Sequence, residues 1–162
     1  MNTYKIIDIL KKENTPEWVI DHSKAVYERT KEISENFNVD EELIKQGALL
    51  HDIGRSRTNT ISHGIIGSKI AIKYGFGKEV ANIIERHIGS GIPKSEAIEL
   101  GLGEKDYIPL TLEEKIVAHS DNLVNGSENV DLEFVIKKMK NTVQNPEYSI
   151  KRLKKLHEEL FI

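Results

Sequence analysis

Gly47-Ala48-Leu49-Leu50-His51-Asp52-Ile53-Gly54-Arg55 sets a histidine and an aspartate side by side at the end of an apolar helical segment. A soluble protein ordinarily buries nothing ionisable at such a point unless the charge is matched. Asp40 stands where a helix N-cap is needed, and Ile44, Gly47, Ala48 and His51 then share one face. Gly54 suits the left-handed residue that closes a helix. The segment is therefore read as a helix whose inward stripe ends in two metal-ligand residue types.

The same arrangement recurs on either side. Thr15-Pro16-Glu17 reads as N-cap, proline at the first helical position and an acid suited to the helix dipole. From there Trp18, His22, Ala25, Val26, Arg29 and Ile33 follow one face to about Phe37. A helix from Ser62 to about Tyr74 carries His63 in its first turn, and one from about Lys78 aligns Val80, Ile83, Ile84 and His87 before the turn at Gly89-Ser90-Gly91. Thr111-Leu112-Glu113-Glu114 is a capping box, and the helix it starts puts Val117, Ala118 and Asp121 together. A first helix over Tyr4 to Lys12, with Tyr4, Ile7 and Leu10 inward, a short one over Ser95 to Leu102, and two after Asn125-Gly126, at about Leu132 to Met139 and Pro146 to Phe161, complete an all-α chain. No segment alternates with the period of a strand.

One histidine on an apolar face is ordinarily a satisfied core residue. Here His22, His51, His63 and His87 occur with Asp52 and Asp121 over five helical segments, and burying all six is costly unless a cation neutralises them together. With no cysteine in the chain, the available donors are nitrogen and oxygen. These suit iron or manganese first, then zinc, nickel or magnesium. Asp52 can bridge two ions, one held with His22, His51 and Asp121 and the other with His63 and His87. Two-metal centres of this kind hold their ions about 3.5–4 Å apart and supply a hydroxide as nucleophile.

The ordered set His22, His51-Asp52 within His51-Asp52-Ile53-Gly54, and Asp121 resembles the signature of the HD-domain metal-dependent phosphohydrolase superfamily, in its HDIG subgroup. With His63 and His87 it resembles the two-metal branch, which includes di-iron enzymes that split diadenosine tetraphosphate and the cyclic-dinucleotide phosphodiesterases. The resemblance spans about residues 16–125. It implies an HD-domain helical bundle of five core helices with N- and C-terminal accessory helices, hydrolysis of a phosphate ester or anhydride, and a nucleotide or dinucleotide as substrate. The alternatives it carries are a mixed-valent di-iron oxygenase and a nucleotide-binding regulatory domain with little turnover. In the dinucleotide-cleaving enzymes an acid and an arginine follow the last aspartate, whereas Asp121 is followed by Asn122 and has no arginine near it.

Other residues take less specific readings. Arg55 is either a phosphate clamp or a solvated cation at a helix end. Lys24 and Arg86 read as surface charge, Trp18 as core, and His157 as surface. His119 lies nearly opposite Asp121 on its helix, which makes it a partly exposed residue or a general acid at the pocket edge.

The totals agree with one domain over residues 1–162. A formal charge of -3, from 23 Lys+Arg against 26 Asp+Glu, gives no footprint for duplex nucleic acid or an anionic membrane. The expected partner is a small phosphate compound, and a homodimer is an allowed state. Without a signal pattern or an apolar run of membrane length, the expected location is the cytoplasm.

Overall fold

Helix α3 (Glu41–Leu50) touches four other helices in a computed structural model that describes residues 1–162. They are α1 (Thr3–Lys12), α2 (Glu17–Ser34), α5 (Lys78–Glu85) and α7 (Leu112–Asn122). Its central place follows from composition, since Ala48, Leu49 and Leu50 have no exposed surface and Gly47 admits the side chain of Ile83. After α3 a short 3-10 turn, Ile53–Ser56, leads towards α4 (His63–Lys73). The short α6 (Lys94–Glu99) follows α5, and α8 (Leu132–Thr142) and α9 (Pro146–Leu160) close the chain. The architecture is an all-α bundle. No helix is long and apolar enough to cross a membrane.

Helix starts are set by the expected chemistry. Asp40 accepts from the Leu43 N–H and Thr111 from the Glu114 N–H, each satisfying a donor the helix cannot pair internally. At α2 the reading differs. Pro16 precedes the helix without a side-chain cap, and the buried Thr15 hydroxyl has no partner.

The apolar residues form one cluster among α1, α2, α3, α4 and α5, a second among α2, α7, α8 and α9, a third where α2, α3, α5 and α7 meet, and a small fourth of Ile92, Ala97 and Tyr107. The buried face of α2 runs through Val19, His22, Val26, Thr30 and Ile33. It is thus rotated from the expected stripe, and Trp18 lies at its edge with 54% of its surface exposed. Tyr4, expected inward, is exposed, while Ile6 takes the core position beside Ile7 and Leu10.

Two local departures shape the surroundings of the buried histidines. Gly54 is not left-handed. A Cβ there would stand 1.9 Å from the carbonyl oxygen of His63, so the glycine is required by close approach of two backbones. After α7 the chain forms a small antiparallel hairpin, β1 (Val124–Asn125) and β2 (Glu128–Asn129). Gly126 turns it with a φ of 62°. A two-residue strand is too short to show alternation, so periodicity could not announce it.

Candidate metal centre

Asp52 follows the last turn of α3, buried, and its two carboxylate oxygens face different partners. Oδ1 lies 3.1 Å from His63 Nε2 and 3.2 Å from His87 Nε2. Oδ2 lies 3.6 Å from His51 Nε2, 3.7 Å from His22 Nε2 and 3.2 Å from Arg55 Nε. Asp121, on α7, brings Oδ1 to 2.9 Å from His22 Nε2 and 3.3 Å from His51 Nε2. All six residues named from sequence therefore meet at one place. They arrive from α2, the end of α3, the start of α4, the end of α5, and α7.

The other ring nitrogen of each histidine explains the aim. Nδ1–H donates to the Gly126 carbonyl in His22, to Ala48 in His51, to Thr60 in His63 and to Ile84 in His87, over 2.6 to 2.9 Å. Three of those carbonyls lie three residues earlier in the chain, a local geometry available at a helix end. His22, in mid-helix, has no such local acceptor and takes its carbonyl from the hairpin turn. A donor on Nδ1 places the lone pair of the neutral ring on Nε2, as a metal-bound histidine requires.

Four inward lone pairs and two carboxylates then surround one space. His63 Nε2 and His87 Nε2 stand 3.2 Å apart, and His51 Nε2 is buried without a hydrogen-bond partner. Such a group of acceptors calls for positive charge. The titration shifts say the same: burial pulls the pKa of His51 down, but Asp52 and Asp121 outweigh it and raise it to about 9. Burial pushes Asp52 up, but His51, His63 and His87 hold it well below the usual carboxylate range. Asp121 is held low against its own burial by His51 and His22. For His87 burial prevails and the pKa is lowered.

The donor set fits a divalent metal ion. Two triads have ligand atoms within 4.8 Å of one another: His22, His51 and Asp121, and His51, Asp52 and His87. Both contain His51, and His63 adds a donor beside the second. Nitrogen and oxygen donors without thiolate are those of a first-row divalent ion.

Several residues read differently in three dimensions. Arg86 donates to the buried Glu114 at 2.8 Å, joining the end of α5 to α7. Glu114 also receives the Leu110 N–H. His119 is fully buried on the α9 side of α7, paired with His157 at 2.9 Å, while His157 stacks on Phe161. It is therefore neither partly exposed nor beside the centre. Lys24 is exposed, as expected of a surface charge. Sequence reasoning missed the contribution of Gly126. Its one available signal was the Asn125-Gly126 pair, a hairpin turn type.

A model of the HD domain family matches residues 19–126. Among curated proteins, an uncharacterized protein of Methanocaldococcus jannaschii is 48% identical over 99% of this chain and 97% of its own length. A tRNA (cytidine(56)-2'-O)-methyltransferase of Picrophilus torridus is 45% identical over 94% of this chain, which spans only 44% of that protein. A ribonuclease Y of Protochlamydia amoebophila is 32% identical over 86% of this chain and 22% of its own length. The HD domain of the L. monocytogenes phosphodiesterase PgpH shares the fold, with a TM-score of 0.57 and 17% identity over 95% of this chain and 99% of that one. A second structure of it, in complex with cyclic-di-AMP, gives a TM-score of 0.59 and 19% identity over 92% of each chain.

Proposed function

The chain belongs to the HD domain family, and from that premise we propose that it is a cytoplasmic metal-dependent phosphohydrolase that cleaves a phosphate ester or anhydride of a nucleotide or dinucleotide. The observation that carries this reading is the two-sided use of Asp52, with histidine Nε2 atoms beside each oxygen. His22, His51, Asp121 and Asp52 Oδ2 would hold one ion, and His63, His87 and Asp52 Oδ1 a second. Iron or manganese suits this His-rich set best. Bound ions would supply a water nucleophile at neutral pH and neutralise the charge that develops on the phosphate.

The chain's own residues do the rest. The four carbonyls that receive Nδ1–H hold each imidazole with Nε2 turned inward. Asp52, with five nitrogens of His22, His51, Arg55, His63 and His87 around its two oxygens, keeps the two ligand groups in one frame. Arg55, its side chain 26% exposed beside Asp52, can extend a guanidinium to a phosphate oxygen, a geometry suited to paired hydrogen bonds. A nucleotide substrate is supported by the relatives, whose names include a ribonuclease and a tRNA-modifying enzyme, and by the cyclic-di-AMP complex of a protein with this fold.

The test is metal analysis of protein purified without chelator, followed by phosphate or nucleotide release from mononucleotides, cyclic dinucleotides, dinucleoside polyphosphates and short RNA. Two ions per chain and metal-dependent release from one of these classes are expected. Protein that takes up no metal under any loading would refute the proposal.

A further inference from the structure

Trp18 is the chain's one tryptophan, and it stands half in water on the first turn of α2. Exposure alone would mean little, since Tyr4, Leu110 and Tyr148 are more exposed still. Two further facts set Trp18 apart. It precedes His22 by four residues, so the indole and the inward imidazole are neighbours on one side of the helix, roughly 6 Å apart at Cβ. The guanidinium of Arg55 also lies over its ring, 5.8 Å from the centroid, while Arg55 Nε lies 3.2 Å from Asp52 Oδ2. One cation thus links the metal centre to an exposed aromatic ring at its rim.

We infer that Trp18 and Arg55 form a recognition site for a nucleobase attached to the phosphate that enters the centre. This deepens the proposed function and rests on it. The indole offers a face to any base, and stacking of this kind is tolerant of base identity. Arg55 lies between indole and centre, and can meet the phosphate while its plane extends the stacking surface. A base-bearing phosphate would engage both, and a bare phosphate or sugar phosphate only the second. The rim therefore discriminates by the presence of a base, leaving its identity open.

Because Trp18 is the sole tryptophan, its fluorescence reports the event without turnover. Protein loaded with zinc or magnesium would be titrated with adenosine monophosphate, ribose 5-phosphate and inorganic phosphate, with affinities measured in parallel by calorimetry. Saturable quenching by the nucleotide alone is expected, together with affinity roughly 5- to 100-fold above that of ribose 5-phosphate. Trp18→Ala should bring the two affinities together while metal content stays at the wild-type level, and Trp18→Phe should retain much of the preference. Equal binding of nucleotide and sugar phosphate to metal-loaded wild-type protein would overturn the inference and leave the metal reading standing. Failure to bind metal or inorganic phosphate, with quenching by nucleotide retained, would instead overturn the phosphohydrolase reading and keep the stacking site.

Discussion

Histidines are buried in two regions of this molecule, and the regions differ in what faces the two ring nitrogens. At the centre around Asp52, four rings turn Nδ1 to backbone carbonyls and Nε2 to two carboxylates. On the α9 side of α7, His119 is equally buried but turns Nε2 to His157, with Asn122 near its Nδ1 and Arg29 as the nearby charge. His51 and His119 titrate in opposite directions as a result, although burial lowers His87 as it does His119. His51 is raised to about 9 by the carboxylates despite burial, and His119 is lowered to about 3 by burial, His157 and Arg29. Burial alone therefore does not mark a ligand. What marks it is a carbonyl on one ring nitrogen and shared acceptors at the other.

The hardest test of that contrast is Asp52→Ala. It should empty the centre and lower activity by more than the roughly 10- to 100-fold typical of losing an outer partner of a metal ligand, whereas His119→Phe should keep wild-type metal content. Metal analysis of both variants, with circular dichroism to confirm the fold, checks this. Retention of full metal by the Asp52 variant would break the comparison.

Thermal unfolding gives the next largest effect. An ion that binds only the folded chain stabilises it by about 2.7 kcal/mol at a hundredfold excess over Kd. For a domain of this size that corresponds to roughly 5–11 °C in Tm. Wild type and His119→Phe should show the same shift on adding metal, and Asp52→Ala should show none.

A smaller effect is expected at the hairpin. Gly126→Ala puts a side chain on a residue with φ of 62°, which costs about 1–2 kcal/mol. The carbonyl that holds His22 should move with it, so metal affinity falls by up to about tenfold while folding persists. Competition against a fluorescent chelator would measure this.

An effect of similar size concerns acid. His119 has a folded pKa below its ordinary 6.5, so the unfolded chain binds the proton more readily. The cost is absent above about pH 6.5 and grows as pH falls towards the folded value. At pH 5 it amounts to at most about 2 kcal/mol. His119→Phe should narrow the gap in urea midpoint between pH 7 and pH 5, and an unchanged gap would show that other groups set the acid sensitivity.

How far the sequence could be read depends on what each residue answers to. Asp40 and Thr111 cap their helices as expected because a cap depends on three or four neighbouring residues. The six candidate ligand residues were legible because His22, His51, His87 and Asp121 stand in line with apolar stripes, which fix the side of a helix that faces inward, while Asp52 adjoins His51 at a helix end and His63 opens its helix. A stripe does not fix its own edges. Trp18 therefore reads as core in the sequence, although the buried face of α2 passes beside it through Val19 and His22. Nor does a helical angle reveal a second core. His119 points away from Asp121 as expected, but α9 covers that side and buries it. The hairpin carbonyl that orients His22 comes from 104 residues away, a distance at which periodicity carries no signal.

The contact of Gly54 with the His63 carbonyl bears on what substitution experiments can say about the four letters His51-Asp52-Ile53-Gly54. On the proposed function positions 51 and 52 supply metal ligands, and at 52 a charged carboxylate with two free oxygens is needed, so a variant of similar shape such as Asp52→Asn should leave a folded protein that has lost its chemistry. At position 54 the requirement is empty volume, because any Cβ would meet the backbone of α4 at 1.9 Å. A saturation library sorted first for folding and then for metal uptake should therefore separate the motif into two parts. Position 54 would be depleted at the first sort, and positions 51 and 52 only at the second.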